Sequence, residues 1–205
     1  MAKNKFLRSK NLAIIDYGAG NVKSVKNALN YLKVDSTITK KQREILDADK
    51  LIFPGVGNFG YIMENLRKKK IDYAIAKFIA SGKPYLGICL GLQVLFEESE
   101  EAKGVKGLGI FKGKVVKFTN GKVPQIGWNK IIPIQKNSKN FLEGYAYFVN
   151  SYYAVPENKN IVATKTDYFG EFTSALQHEN ITAVQFHPEK SGEYGLKLLE
   201  QWLKC

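Results

Sequence analysis

Cys89 stands in the run Pro84-Tyr-Leu-Gly-Ile-Cys89-Leu-Gly-Leu-Gln-Val-Leu-Phe96, with Gly87 and Gly91 two residues to either side. The apolar stretch Pro84 to Ile88 reads as a buried strand and Gly91 to Phe96 as the opening of a helix, so the cysteine falls on the turn between them. A G-x-nucleophile-x-G turn is an elbow: small neighbours let the chain bend sharply enough to lift one side chain above a sheet. The thiol would then face open space at a helix N-terminus, where the dipole favours a nucleophilic thiolate.

A cysteine nucleophile needs a base to take its proton, and the base needs a third group to fix its tautomer. Near the other end, the alternating run Ile181-Thr-Ala-Val-Gln-Phe186 leads straight into His187-Pro188-Glu189. His187 is the candidate base and Glu189 the candidate orienter, since an extended chain through Pro188 would put both side chains on one side. The other histidine, His178, sits in Gln177-His-Glu-Asn180 and reads as a solvated turn residue. Two histidines and two cysteines, with Cys205 the last residue, make no convincing zinc site. No metal and no cofactor is expected.

Acyl transfer also needs two backbone N–H groups aimed at the developing oxyanion. Leu90, directly after the nucleophile, would supply one. Asp49 to Phe53 reads as a short buried strand entering the loop Pro54-Gly-Val-Gly57, and Val56 is the simplest source of the other.

These residues have to be held at the edge of a sheet. Leu12 to Asp16 reads as a strand, followed by a helix with Val22, Val25, Leu29 and Leu32 on one face. Strands follow at Ser36 to Thr39 and Leu51 to Phe53, and a helix carries Ile71, Ala74, Ile75, Phe78 and Ile79. Alternating strands and helices imply a parallel sheet with its site at the carboxyl ends of the strands. The turn Asp16 to Gly20 lacks the third glycine of G-x-G-x-x-G and any Walker lysine, so it reads as a tight turn near the site. Beyond Lys103 the pattern changes to short strands at Lys114–Phe118, Trp128–Ile132, Tyr147–Ala154, Ile161–Thr164 and Phe172–Gln177. A helix over Glu193–Lys204 closes the chain. A mixed or antiparallel flank on the same core is expected. No linker or repeat divides residues 11–205, which read as one domain behind a basic, mobile extension at residues 1–10.

The chain of 205 residues carries a formal charge of +12. Its densest basic cluster, Arg67-Lys-Lys-Lys70, falls where a helix end or loop is expected, and no aromatic residues interleave with it as stacking platforms. No nucleic-acid partner is expected, and the charge fits solubility or an acidic partner surface better. No apolar run is long enough to span a membrane, and no cysteine pair marks a secreted framework, so a cytoplasmic location is expected.

Taken together, these segments resemble the class I glutamine amidotransferases, and within them the glutaminase subunits of imidazole glycerol phosphate synthase from histidine biosynthesis. The resemblance runs from about Asn11 to the C-terminus. It is carried by Ile15-Asp-Tyr-Gly-Ala-Gly-Asn21, Pro54-Gly-Val-Gly57, Leu86-Gly-Ile-Cys-Leu-Gly-Leu-Gln93, Gly127-Trp-Asn129, Tyr147-Phe-Val149 and Gln185-Phe-His-Pro-Glu-Lys-Ser191. It implies a flavodoxin-like α/β fold, a mostly parallel central sheet flanked by helices with an additional mixed or antiparallel sheet. It also implies glutamine as substrate, bound by Gly57, Gln93 and the backbone of Ser151 and Tyr152. Ammonia would pass to a barrel-shaped cyclase partner in a heterodimer, met through Asn21, Trp128, Asn129, Tyr147 and Lys190. The family commonly has histidine where this chain has Gln125 and Asn150. Both lie in acceptor-facing segments, and paralogues of such subunits feed sugar amidotransferases of surface-polysaccharide synthesis, which is the alternative destination for the ammonia.

Overall fold

The computed structural model describes residues 11–18, 21–134, 138 and 141–205. The expected extension at residues 1–10 and the Ala19-Gly20 end of the first turn lie outside the described residues.

The first half alternates as expected. Strand β1 (Leu12–Ile15) leads through α1 (Val22–Tyr31) to β2 (Thr37–Thr39), then α2 (Gln42–Asp47) and β3 (Lys50–Gly55). Helices α3 (Phe59–Lys68) and α4 (Ile71–Ala80) precede β4 (Tyr85–Cys89). The lysine cluster is the end of α3 and the joint to α4, where Lys70 adopts φ 54°. After β4 comes a difference. The expected helix Gly91–Phe96 is a single turn, α5 (Leu90–Gln93), and Phe96 already opens a strand, β5 (Phe96–Ser99). Leu92, Val94, Leu95 and Phe96 are all fully buried. A run apolar on every side has no amphipathic period to distinguish helix from strand.

The second half supplies β6 (Phe111–Lys117), β7 (Gln125–Pro133), β8 (Gly144–Asn150), β9 (Tyr152–Pro156), β10 (Val162–Asp167), β11 (Glu171–His178), β12 (Ile181–Val184) and α6 (Gly192–Leu203). The single strand expected over Tyr147–Ala154 is thus two, broken at Ser151. His178 is the last residue of β11 rather than a turn residue; its side chain is 46% exposed and its ring meets that of Phe111 edge-on.

The main sheet has nine strands in the order β2-β1-β3-β4-β12-β11-β10-β7-β8, and β5-β6-β9 form a separate three-stranded sheet. Pairing is parallel from β2 through β12 and antiparallel from there to β8. The parallel strands β1, β3, β4 and β12 are buried along their length because helices cover both faces, while β2 at the sheet edge is partly exposed. Ala13, Ile15, Leu51 and Phe53 pack beneath α2, α3 and α4, while Leu12, Ile14, Ile52 and Ile88 pack against α1 and α6. Central strands held in this way give their carboxyl ends a fixed position. Gly55 of β3 pairs with Cys89, and Ile88 of β4 pairs with Val184 of β12. The Pro54 loop, the cysteine and the segment holding His187 therefore emerge side by side.

Candidate active site

Cys89 has φ 55° and ψ −108°, a backbone conformation that costs a non-glycine residue energy and persists only where its surroundings hold it. The surroundings are the two glycines. A Cβ at Gly91 would fall on the Phe53 carbonyl of β3, and one at Gly87 on the backbone of Gly91. Only glycine lets the returning turn lie this close to the sheet. The thiol is free and buried, at one wall of a pocket of about 380 Å³. Val56, Gly57, Leu90, Gln93, Ser151, Tyr152 and Lys190 also line that pocket, so it gathers residues expected from four separate sequence segments.

His187 Nδ1 lies 2.8 Å from Glu189 Oε1, with both side chains almost wholly buried. The route to that contact differs from the expectation. Pro188–Lys190 is a 3-10 turn, not extended chain. Proline suits the first position of such a turn because its φ is already set and it has no N–H to leave unpaired. Ser191 secures the turn, donating from Oγ to the His187 carbonyl at 2.6 Å and accepting from the Tyr147 N–H at 2.9 Å. Burial works against a charged imidazole. The neighbouring Cys89 and Glu189 outweigh it, and the His187 pKa rises to about 10. Its Nε2 is buried without a hydrogen-bond partner.

The two expected oxyanion donors differ in state. The Leu90 amide opens the α5 turn, where an N–H has no partner within the helix. The Val56 N–H is occupied: it donates to the Tyr17 hydroxyl at 2.9 Å, while that hydroxyl donates to the Val56 carbonyl at 2.8 Å. Tyr17 is buried, its ring edge-on to Phe53, and burial pushes its hydroxyl pKa up to about 12, so it stays a neutral donor. Gly57, next in the loop, has φ 112°.

Gln93 faces the pocket as its position one turn after Cys89 predicts. Its Nε2 donates to the Tyr152 carbonyl at 3.0 Å and to Gln185 Oε1 at 2.9 Å. Around Lys190 the residues assigned to the partner face partly assemble. Its Nζ lies 5.9 Å above the Tyr147 ring, which meets Trp128 edge-on at 6.1 Å, and Trp128 is 54% exposed. Asn129 lies on β7 next to Trp128. Asn21 stands just before α1, its Oδ1 accepting from Ser24 Oγ at 2.6 Å, and that helix packs against the Pro188–Lys190 turn. Gln125 and Asn150 are direct cross-strand partners at the pocket end of β7 and β8. Both are buried, and the amide of Gln125 has no hydrogen-bond partner.

Sequence reasoning passed over Glu101 and Pro124 of the pocket lining, named Val149 only within a motif and Asn150 only as a departure from the family, and gave no role to the Gln185 amide, which donates to Cys89 Sγ at 3.5 Å. The last two carried a signal: Asn150 directly precedes Ser151, and Gln185 is two residues from His187. Among the described residues no group of three or more His, Cys, Asp or Glu could hold a metal ion.

The family model for class I glutamine amidotransferases matches residues 13–204. A protein of Pyrococcus furiosus described as imidazole glycerol phosphate synthase subunit HisH is 52% identical, over 93% of this chain and 97% of its own length. Its namesake in Methanocaldococcus jannaschii is 48% identical, over 94% and 98%. Among solved structures, a glutamine amidotransferase superposes with a TM-score of 0.75 at 18% identity, covering 93% of this chain and 98% of its own. The PurLQS structure from Thermotoga maritima gives 0.74 at 20%, covering 94% and 97%. At those identities the structural likeness speaks to the fold alone.

Proposed function

The chain belongs to the class I glutamine amidotransferases, and from that premise we propose that it is the glutaminase subunit of an imidazole glycerol phosphate synthase, hydrolysing glutamine to glutamate and passing the ammonia to a cyclase partner in histidine biosynthesis. The observation that carries the glutaminase reading is the pocket itself. A strained cysteine lies at its wall, and the nearby buried histidine has Nδ1 bonded to a carboxylate while its Nε2 has no partner of its own.

In this reading Cys89 Sγ attacks the side-chain amide carbon of glutamine, and the charge developing on oxygen is met by the Leu90 N–H. His187 gives its proton to the departing ammonia and then takes one from the water that cleaves the thioester, while Glu189 holds the ring in the required orientation. Gln93 has both amide hydrogens engaged, which leaves its Oε1 as the group that accepts from the substrate's α-ammonium. Gly57 and the backbone of Ser151 and Tyr152 complete the glutamine site.

The second oxyanion donor would come from Val56, whose N–H must first leave Tyr17. A site short of one donor loses roughly 10²–10³ in rate, so the subunit alone is slow and the partner's role includes freeing that amide. The partner docks on Asn21, Trp128, Asn129, Tyr147 and Lys190, the lysine pairing with an acidic residue of the cyclase. Residues 11–205 act as one domain, in the cytoplasm, with no metal and no cofactor. The named relatives favour the histidine pathway over a sugar amidotransferase as the destination of the ammonia. Production of glutamate from glutamine by the wild type, and its loss in Cys89→Ala, is the direct test.

A further inference from the structure

Gln185 takes no part in the steps above, yet its amide is bonded at both ends inside the site. It is fully buried, two residues before His187. Its backbone N–H is held by the Ser174 carbonyl of β11 at 2.9 Å. At the tip of the side chain, Oε1 accepts from Gln93 Nε2 at 2.9 Å and Nε2 donates to Cys89 Sγ at 3.5 Å. The two bonds fix each other's direction. A buried amide with one end unpaired is costly, so once Oε1 is committed to Gln93, Nε2 has to face the sulfur.

We propose that Gln185 is a positioning residue that holds the attacking thiolate and the substrate-reading amide of Gln93 in register; this rests on the glutaminase reading. Two effects follow from one side chain. Toward Cys89 it offers an N–H to a sulfur that carries charge before attack and again when the thioester breaks. Hydrogen bonds to a charged acceptor are the strong ones. Toward Gln93 it occupies one amide hydrogen, and the Tyr152 carbonyl takes the other, so the Gln93 carbonyl stays turned to the pocket. A leucine or methionine would fill the same volume and do neither.

The test uses a Cys205→Ser background, since Cys205 is the second cysteine of the chain and is exposed. Alkylation of Cys89 by iodoacetamide at neutral pH, without glutamine, reads the sulfur directly; steady-state glutamine hydrolysis reads kcat and KM. Gln185→Met should slow alkylation by about tenfold or more, lower kcat by a similar factor, and raise KM. Gln93→Met, which frees Gln185 Oε1 and loosens the sulfur's donor without deleting it, should raise KM and slow alkylation clearly less than Gln185→Met does. Thermal melting confirms that each variant is folded, and Gln185→Leu replaces a methionine variant that is not. Unchanged alkylation in a folded Gln185 variant overturns the proposal, as does an equal slowing in Gln93→Met, which would mean a general loosening of the pocket. Because alkylation needs no glutamine, a wild type that alkylates quickly but does not hydrolyse glutamine counts against the glutaminase reading alone.

Discussion

A thiol is a weak nucleophile until a base takes its proton, and in the proposed site three side chains serve Cys89. His187 is its neighbour, Glu189 steadies His187 Nδ1 at 2.8 Å, and the Gln185 amide reaches the sulfur. Removing the sulfur takes away little packing at the pocket wall, so it should end the reaction without disturbing the fold. Cys89→Ala is expected to lower glutamate formation by at least 10³-fold, with a melting temperature close to the wild type; activity within tenfold would contradict the assignment. The imidazolium form of His187 is populated below its raised pKa of about 10 and lost as pH climbs through it. A pH profile of kcat/KM should therefore show its alkaline fall near pH 10. Glu189→Gln removes a group that raises this pKa, so the fall should move to lower pH, and activity should drop less than in His187→Ala. An alkaline limb that stays in place in Glu189→Gln would mean the carboxylate does not act through the ring. At this scale Cys89, His187 and Glu189 could be proposed from the sequence because a nucleophile, a base and an orienter need particular residue types near particular turns. Gln185 was not, since a glutamine in an alternating strand reads as an outward polar position until the fold buries it.

Among the elements, the site depends on strands β3, β4 and β12 ending together, and on a turn after β4 pressed against β3. Gly91→Ala puts a methyl group on the Phe53 carbonyl, and should cost about 1–3 kcal/mol of stability and much of the activity through displacement of Cys89. Chemical denaturation and glutaminase assays on the same preparation check both. The Pro54 loop carries a different prediction. Tyr17→Phe keeps the ring against Phe53 but removes the hydroxyl that binds both polar groups of Val56. The unliganded subunit should then hydrolyse glutamine about tenfold faster than the wild type, a part of the roughly 10²–10³ that a second donor supplies. An equal or slower basal rate would show that Tyr17 does not restrain the loop. The parallel half of the sheet could be read from alternating apolar runs and amphipathic helices. The break at Ser151 could not: β8 and β9 both alternate, so the passage from the large sheet to the small one leaves no mark on the pattern. The single turn of α5 was hidden for the opposite reason, because every residue in it is buried.

The whole molecule places its pocket beside an outward face of β7 and β8 where Ile126, Trp128 and Tyr145 are 61%, 54% and 59% exposed. Exposed apolar and aromatic side chains grouped on one face mark an interaction surface, and the excess of positive charge suits an acidic partner. Family membership could be read from short motifs spread along the chain, whereas the joining of the antiparallel strands to the parallel ones in one nine-stranded sheet became visible only in the fold. The central claim joins the pocket to that face: glutamine hydrolysis here is work done for a partner. Glutamate formation should be measured for the subunit alone and with the barrel cyclase and its acceptor ligand, in wild type and in Lys190→Ala. The account predicts a slow lone subunit, acceleration by about 10²–10³ with the liganded partner, and loss of most of that acceleration in Lys190→Ala. Full activity of the lone subunit, unchanged by the partner, would contradict it.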